Sequence, residues 1–174
     1  KICTEVNEEL NQRQKFIVLV HLLELVHADG GMAEQELEFV ATVAETFNIA
    51  TEEFNRCNAF VRNGKDHRED ETDLLYVDAA TGASAERAKH IHAHDLNGEI
   101  RVLHVPGVEL YLMRYFGSDR LLLSGQAVNS HRVHVLENGA SLRPPHGQPV
   151  YYSDILSNFF RDDGRDRIVF KADA

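Results

Sequence analysis

The chain has 174 residues, room for one medium domain or two small ones, and its 43% hydrophobic and 26% charged residues are ordinary for a globular protein. A formal net charge of −10 argues against nucleic acid as a partner, because phosphate contacts need clustered Lys and Arg. The charge is uneven: residues 1–71 hold 15 acids and 7 bases, residues 72–174 hold 13 acids and 11 bases, so the first part would attract a basic-faced partner.

In chain order, Ile2, Val6 and Leu10 predict a short first helix. Asn11 and Gln14 have the spacing of a capping box that starts a second helix near residue 12. That helix is apolar on nearly every side (Phe16 to Val26) and has to be covered by others. Gly30 and Gly31 end it. A third, amphipathic helix starts near Ala33 or Glu34 with Glu34 and Glu36 in its first turn, and Asn48 ends it. Thr51 is the expected cap of a fourth helix to about Val61, with Phe54, Cys57, Phe60 and Val61 on one side. Cys57 reads as a core residue, and Cys3 with Cys57 makes no disulfide framework. The charged run from Asn63 to Glu71 reads as a solvated loop, with the boundary between domains placed in it.

Beyond the loop the periodicity turns from helical to alternating. Leu74–Val77, Lys89–His94, Glu99–Val105, Glu109–Phe116, Leu121–Leu123, Val133–Leu136 and Arg167–Lys171 are predicted strands. Asn97-Gly98 between two alternating runs is a strong hairpin signal. Gly117-Ser118-Asp119 and Asn138-Gly139 mark turns, Pro144 to Gly147 a loop, and Tyr151–Phe160 a short helix with Ser153 as its cap. Without helical crossovers a parallel sheet is not expected. The fold class is therefore α+β: a helical bundle over 1–63, a linker over 64–71, and a mainly antiparallel, β-sandwich-like domain over 72–174.

Asp29 sits where the dipole at the end of the second helix disfavours a carboxylate. It either braces the turn by accepting amide hydrogen bonds from the next helix or shares a divalent cation with Glu36, Glu34 lying nearby. The brace is the preferred reading, and Asp29 and Glu36 are the candidate metal ligands. Ala28-Asp29-Gly30, then Met32 and Glu36, between an apolar and an amphipathic helix, resembles the tellurite-resistance protein B-like (TerB-like) family of all-helical domains over about residues 10–62. Ala33 stands where that family has Ser or Thr. Family domains are longer, which suits a chain starting at Lys1 as a piece of something larger. The whole chain also resembles the region that precedes the ATP-binding cassette in bacterial ABC-type ATPase proteins. That resemblance rests on Lys1-Ile2-Cys3, Glu8-Glu9-Leu10-Asn11, Gln35 to Val40, Gly98 to Leu103, Arg114 to Gly117 and Tyr151 to Ile155. It implies a regulatory or docking region; the chain itself has no GxxxxGK[ST] phosphate loop.

Three further patterns carry candidate chemistry. His90, His92 and His94 would share one face of a strand, and His92 and His94 with Glu99 resemble the first cupin motif, His104 being a further candidate ligand. His146 follows a Pro-rich turn as in the second cupin motif, but Val150 occupies the position of its ligand. Leu122 to Val128 and His134 to Arg143 are similar to the last hairpins of forkhead-associated domains, which would place an anion site on loops near Ser118 or Ser124. No serine stands in a G-x-S-x-G setting and no Cys/His pairing is evident. Tyr111, Tyr115, Tyr151, Tyr152, Phe116, Phe159 and Phe160 should form the β core and its rim.

The expected function is a non-catalytic interaction or regulatory region of a larger protein, with no catalytic residue and no resident cofactor beyond a divalent cation at Asp29 and Glu36. The expected partner is a protein, either the adjacent ATP-binding cassette or a second copy, not nucleic acid. The longest apolar run is short and broken by His21, so no membrane insertion or signal peptide is expected; the cytoplasm is, at the inner face of a membrane only through a partner. The rival readings are a cupin-like metal-dependent enzyme and a forkhead-associated-like peptide binder.

Overall fold

The computed structural model describes residues 2–28, 34–64, 72–82 and 89–163. The chain divides into two compact units, Lys1–Arg68 with Val105–Leu110, and Glu69–His104 with Tyr111–Ala174. The overall class is α+β, four helices followed by a mostly antiparallel β region.

In the first unit, α1 (Ile2–Glu9), α2 (Gln12–Ala28), α3 (Glu34–Thr46) and α4 (Thr51–Arg62) follow the predicted order. The capping box at the start of α2 is complete: the Gln14 amide donates to Asn11 Oδ1 at 2.9 Å, and the Asn11 amide donates to Gln14 Oε1 at 2.9 Å. α3 ends in a Schellman motif around Asn48, at φ 54°. The Asn48 amide donates to the Glu45 carbonyl (3.0 Å) and the Ile49 amide to the Ala44 carbonyl (2.9 Å). The cap of α4 differs from expectation by one residue. Ala50 takes the N-cap in extended conformation, and its amide donates to Glu53 Oε2 at 3.3 Å; Thr51 is already helical and supplies no cap.

α2 packs against α3 and α4, and α1 against α3. Phe16, Leu19, Val20, Leu23 and Val26 of α2 are buried, with Val40, Val43, Ala44 and Phe47 from around α3 and Phe54, Cys57, Phe60 and Val61 from α4. At roughly 1.5–3 kcal/mol for each large apolar side chain buried, these contacts stabilise the bundle far more than its caps do. The helix, read as apolar on nearly every side and in need of cover by others, is covered by α3 and α4 on one side, while its Leu25 is 69% exposed.

In the second unit one sheet has the order β2 (Lys89–His92), β1 (Leu74–Asp78), β3 (Gly98–Val105), β4 (Leu110–Gly117), β7 (His134–Val135). The other has the order β6 (Gln126–Ala127), β5 (Leu122–Leu123), β8 (Ser141–Arg143), β9 (Val150–Tyr151), and helix α5 (Tyr152–Asp163) follows it. A 3₁₀ turn, Pro106–Val108, joins β3 to β4. Leu75, Val77, Ile100, Val102, Tyr111, Met113 and Tyr115 of the first sheet form one core cluster with Leu142 and Val150 of the second and Ile155 and Phe159 of α5.

Two expectations about this unit are overturned. Asn97-Gly98 does not close a hairpin: β1 lies between β2 and β3, parallel to β2 and antiparallel to β3. Gly98 serves close approach instead. It sits at φ 135°, and a Cβ there would lie 2.5 Å from the Phe116 carbonyl oxygen. The Tyr115 hydroxyl donates to the Asn97 carbonyl at 3.2 Å in the same place. The parallel β1–β2 pair is the second correction. Ser153 is not the cap of α5 either; Asp154 Oδ2 accepts the Tyr151 amide at 2.9 Å, and Ser153 lies in the first turn. The predicted strand Arg167–Lys171 lies outside the described residues.

Candidate functional site

The acidic turn comes first. Glu36 is exposed in the first turn of α3, while Asp29 lies outside the described residues. Just before the turn, His27 Nε2 donates to Asn58 Oδ1 at 2.7 Å and ties the end of α2 to α4.

The histidines of β2 do not share one role. β2 ends at His92, so His94 stands in the following turn and not in the strand. The parallel pairing brings His90 to Asp78: Nε2 lies 2.7 Å from Oδ1, and both side chains are about nine-tenths buried. Asp78 Oδ1 also accepts the Ala80 amide at 2.8 Å. His92 donates from Nδ1 to the Ala80 carbonyl at 3.2 Å, and His94 from Nδ1 to Asp95 Oδ1 at 2.9 Å. His92 and His94 face a cavity of about 270 Å³ together with Asp95, His146 and Asp154, over buried Leu96 and Val150.

Glu99 and His104, the other members of the cupin-like set, are placed elsewhere. Glu99 is buried against Arg101 Nε, and the Arg101 guanidinium lies 5.5 Å from the Tyr76 ring and 4.7 Å from the Phe116 ring. His104 stacks on Tyr111, with ring centroids 4.5 Å apart at 7°, and lies 5.2 Å from Phe159. Among the described residues no group of three His, Cys, Asp or Glu side chains is arranged to hold a metal ion. Sequence reading missed the Asp78–His90 pair and the place of Asp154 in the cavity; both depend on strand order, which no local pattern signals.

Ser124 and Gly125 form the two-residue turn between β5 and β6. Both have positive φ (48° and 86°), as a type I′ turn requires, and the Ser124 amide donates to the Ser141 carbonyl at 2.8 Å. The serine thus has a turn-forming role. Cys57 is a free, buried cysteine whose thiol burial pushes up to about 12, so it is not a nucleophile at neutral pH. Burial also raises the Tyr115 phenol, and the nearby Asp119 carboxylate adds to the shift. Of the aromatic residues, Tyr111, Tyr115 and Phe159 are in the core, while Tyr151 and Phe160 are exposed. Among the described residues no helix is long and apolar enough to cross a membrane.

With this geometry in view, the chain can be set beside known proteins. The family model described as Tellurite resistance protein TerB matches residues 1–59, which gives the helical part as a TerB domain. No curated protein and no solved structure matches the chain significantly.

Proposed function

We propose that this chain is a non-catalytic interaction and regulatory region of a larger bacterial protein, an ABC-type ATPase whose ATP-binding cassette lies elsewhere in the same reading frame. The interaction-module part of the reading is supported by the TerB match over residues 1–59 and by the structural bonds of His90, Glu99 and His104 in the β unit; the ATPase context rests on the sequence resemblance alone. His90 is paired with Asp78, Glu99 with Arg101, and His104 is stacked in the aromatic core. The acidic helical unit then favours a protein partner with a basic face. The matched family's name refers to tellurite resistance, and in this reading the helical scaffold serves docking to a partner and not chemistry on an oxyanion.

The test is the reading frame that encodes the chain. A G-x-x-x-x-G-K-[ST] phosphate loop followed by a complete cassette downstream of Ala174 is the expected finding. A stop codon directly after Ala174 would remove the ATPase context. Turnover of a substrate by the purified chain, lost on His92→Ala, would overturn the non-catalytic reading itself.

A further inference from the structure

We propose that the cavity beside the end of β2 receives the guanidinium of an arginine side chain from a partner protein. The inference rests on the reading of the chain as an interaction region and names what one of its sites recognises.

Charge and hydrogen-bonding capacity come first. The cavity is lined by the carboxylates of Asp95 and Asp154, by three histidines and Gln148, and by neither Lys nor Arg among the described residues. With neutral histidines this lining is anionic, and it is rich in acceptors. His92 donates from Nδ1 to the Ala80 carbonyl and His94 from Nδ1 to Asp95, so in each neutral ring Nε2 holds the lone pair. Asp95 gives Oδ1 to His94 and Asp154 gives Oδ2 to the Tyr151 amide, which leaves each carboxylate a second oxygen. A guanidinium matches such a lining, with its permanent positive charge, five N–H donors and no acceptor. An ammonium has the charge but not the planar fork that spans two acceptors, and an anion would meet like charge.

Size and shape come second. At about 270 Å³ the cavity falls just below the roughly 300–1,000 Å³ of drug-sized ligand pockets, so it suits a side chain and not a large cofactor. Buried Leu96 and Val150 also line it, an apolar surface for the methylene stem of an arginine. The imidazoles offer flat faces on which a planar guanidinium stacks. The His94 side chain is 84% exposed and that of Asp95 51%, so this side is open to a partner's surface.

The third argument is that the carboxylates are held in place before binding. Gly147, at φ 91°, lies so close to Asp95 that an added Cβ would stand 2.9 Å from the Asp95 Cβ, which sets the loop of His146 and Gln148 against this residue. Asp154 is fixed in the first turn of α5 by the Tyr151 amide at 2.9 Å. Groups already held need less ordering when the ligand arrives.

The test is an NMR titration of the whole chain at neutral pH and low salt with the peptide acetyl-Gly-Arg-Gly-amide, read from backbone amide shifts. The same peptide with citrulline, which keeps the shape without the charge, or with lysine is the comparison. The arginine peptide should shift the amides around Ile91–Leu96 and Gly147–Val150, bind at least about tenfold more tightly than the citrulline peptide, and bind more tightly than the lysine peptide. Asp95→Asn and Asp154→Asn, nearly unchanged in shape, should each weaken it about tenfold, and the amide spectrum of each variant shows that it stays folded. Equal binding of the arginine and citrulline peptides, no binding of the arginine peptide at millimolar concentration, or shifts confined to the Glu-rich α3 would overturn the pocket. A lysine peptide bound as tightly would refute the guanidinium assignment, and free arginine bound more tightly than the capped peptide would refute a protein side chain as the occupant. None of these measurements involves an ATPase, so failure of the pocket is distinguishable from failure of the regulatory reading, which turnover by the isolated chain would show.

Discussion

Replacing Gly98 by alanine should damage the β unit far more than the same change at Gly125. At φ 135° an L residue is strained by about 1–3 kcal/mol wherever it sits. Here the new methyl would also stand 2.5 Å from the Phe116 carbonyl oxygen and 2.8 Å from Gly117 Cα, both backbone atoms that no rotamer change can move away. Separating them shifts Asn97 from Tyr115, whose hydrogen bond contributes about 1 kcal/mol. The total is about 3–5 kcal/mol, a large share of the 5–15 kcal/mol that stabilises a typical domain. Gly125 is the control: it too has positive φ (86°), but an added Cβ would meet nothing within 4 Å, so Gly125→Ala should cost only about 1–2 kcal/mol. The assay is urea unfolding followed by tyrosine fluorescence. All five tyrosines lie in the β unit and the chain has no tryptophan, so the signal reports that unit alone. A Gly98→Ala midpoint no lower than that of Gly125→Ala would refute the close-approach role.

Other perturbations have equally definite outcomes. Asn11→Ala removes the acceptor of the Gln14 amide and should cost about 1 kcal/mol, read by thermal unfolding at 222 nm. Ala50→Asp places a capping carboxylate where none exists and should stabilise by a similar amount; a neutral or negative effect would contradict the N-cap assignment. Arg101→Met takes the buried guanidinium from Glu99 and should cost about 3–5 kcal/mol, most of it recovered by adding Glu99→Leu, as urea midpoints would show. For Cys57 the folded value of about 12 lies above the ordinary 9.0. The neutral thiol's contribution to stability is therefore full below about pH 9 and is lost as pH rises towards 12. In a Cys3→Ser background a thiol reagent at pH 8 should label the chain only as fast as it unfolds; rapid labelling of the folded chain would show an accessible Cys57.

Much of the helical unit was legible because its signals are local. Asn11 and Gln14 lie three residues apart and cap each other as their spacing implies, and Asn48 stands at the αL position that ends α3. Thr51 misled by one position because a hydroxyl beside an extended residue looks like a cap wherever the turn begins. In the β unit most strands were placed but the pairing was not. Asn97-Gly98 has the composition of a hairpin turn, yet the glycine is required by a contact with Phe116, eighteen residues away. The parallel β1–β2 pair has no sequence signature at all, and it alone creates the Asp78–His90 bond. The histidine alternation suggested one shared role; the parallel pairing instead engages His90 with Asp78, while the strand ends at His92 and His92, His94 and His146 line the cavity.

The proposed function, regulation through binding with no turnover by residues 1–174 themselves, is open to a direct test. ATP hydrolysis by the complete product of the reading frame, with and without residues 1–174, tests it most directly. A changed hydrolysis rate in the deleted protein, with no hydrolysis by the isolated chain, is the expected result. An identical rate with and without the region, or turnover by the isolated chain, would contradict it.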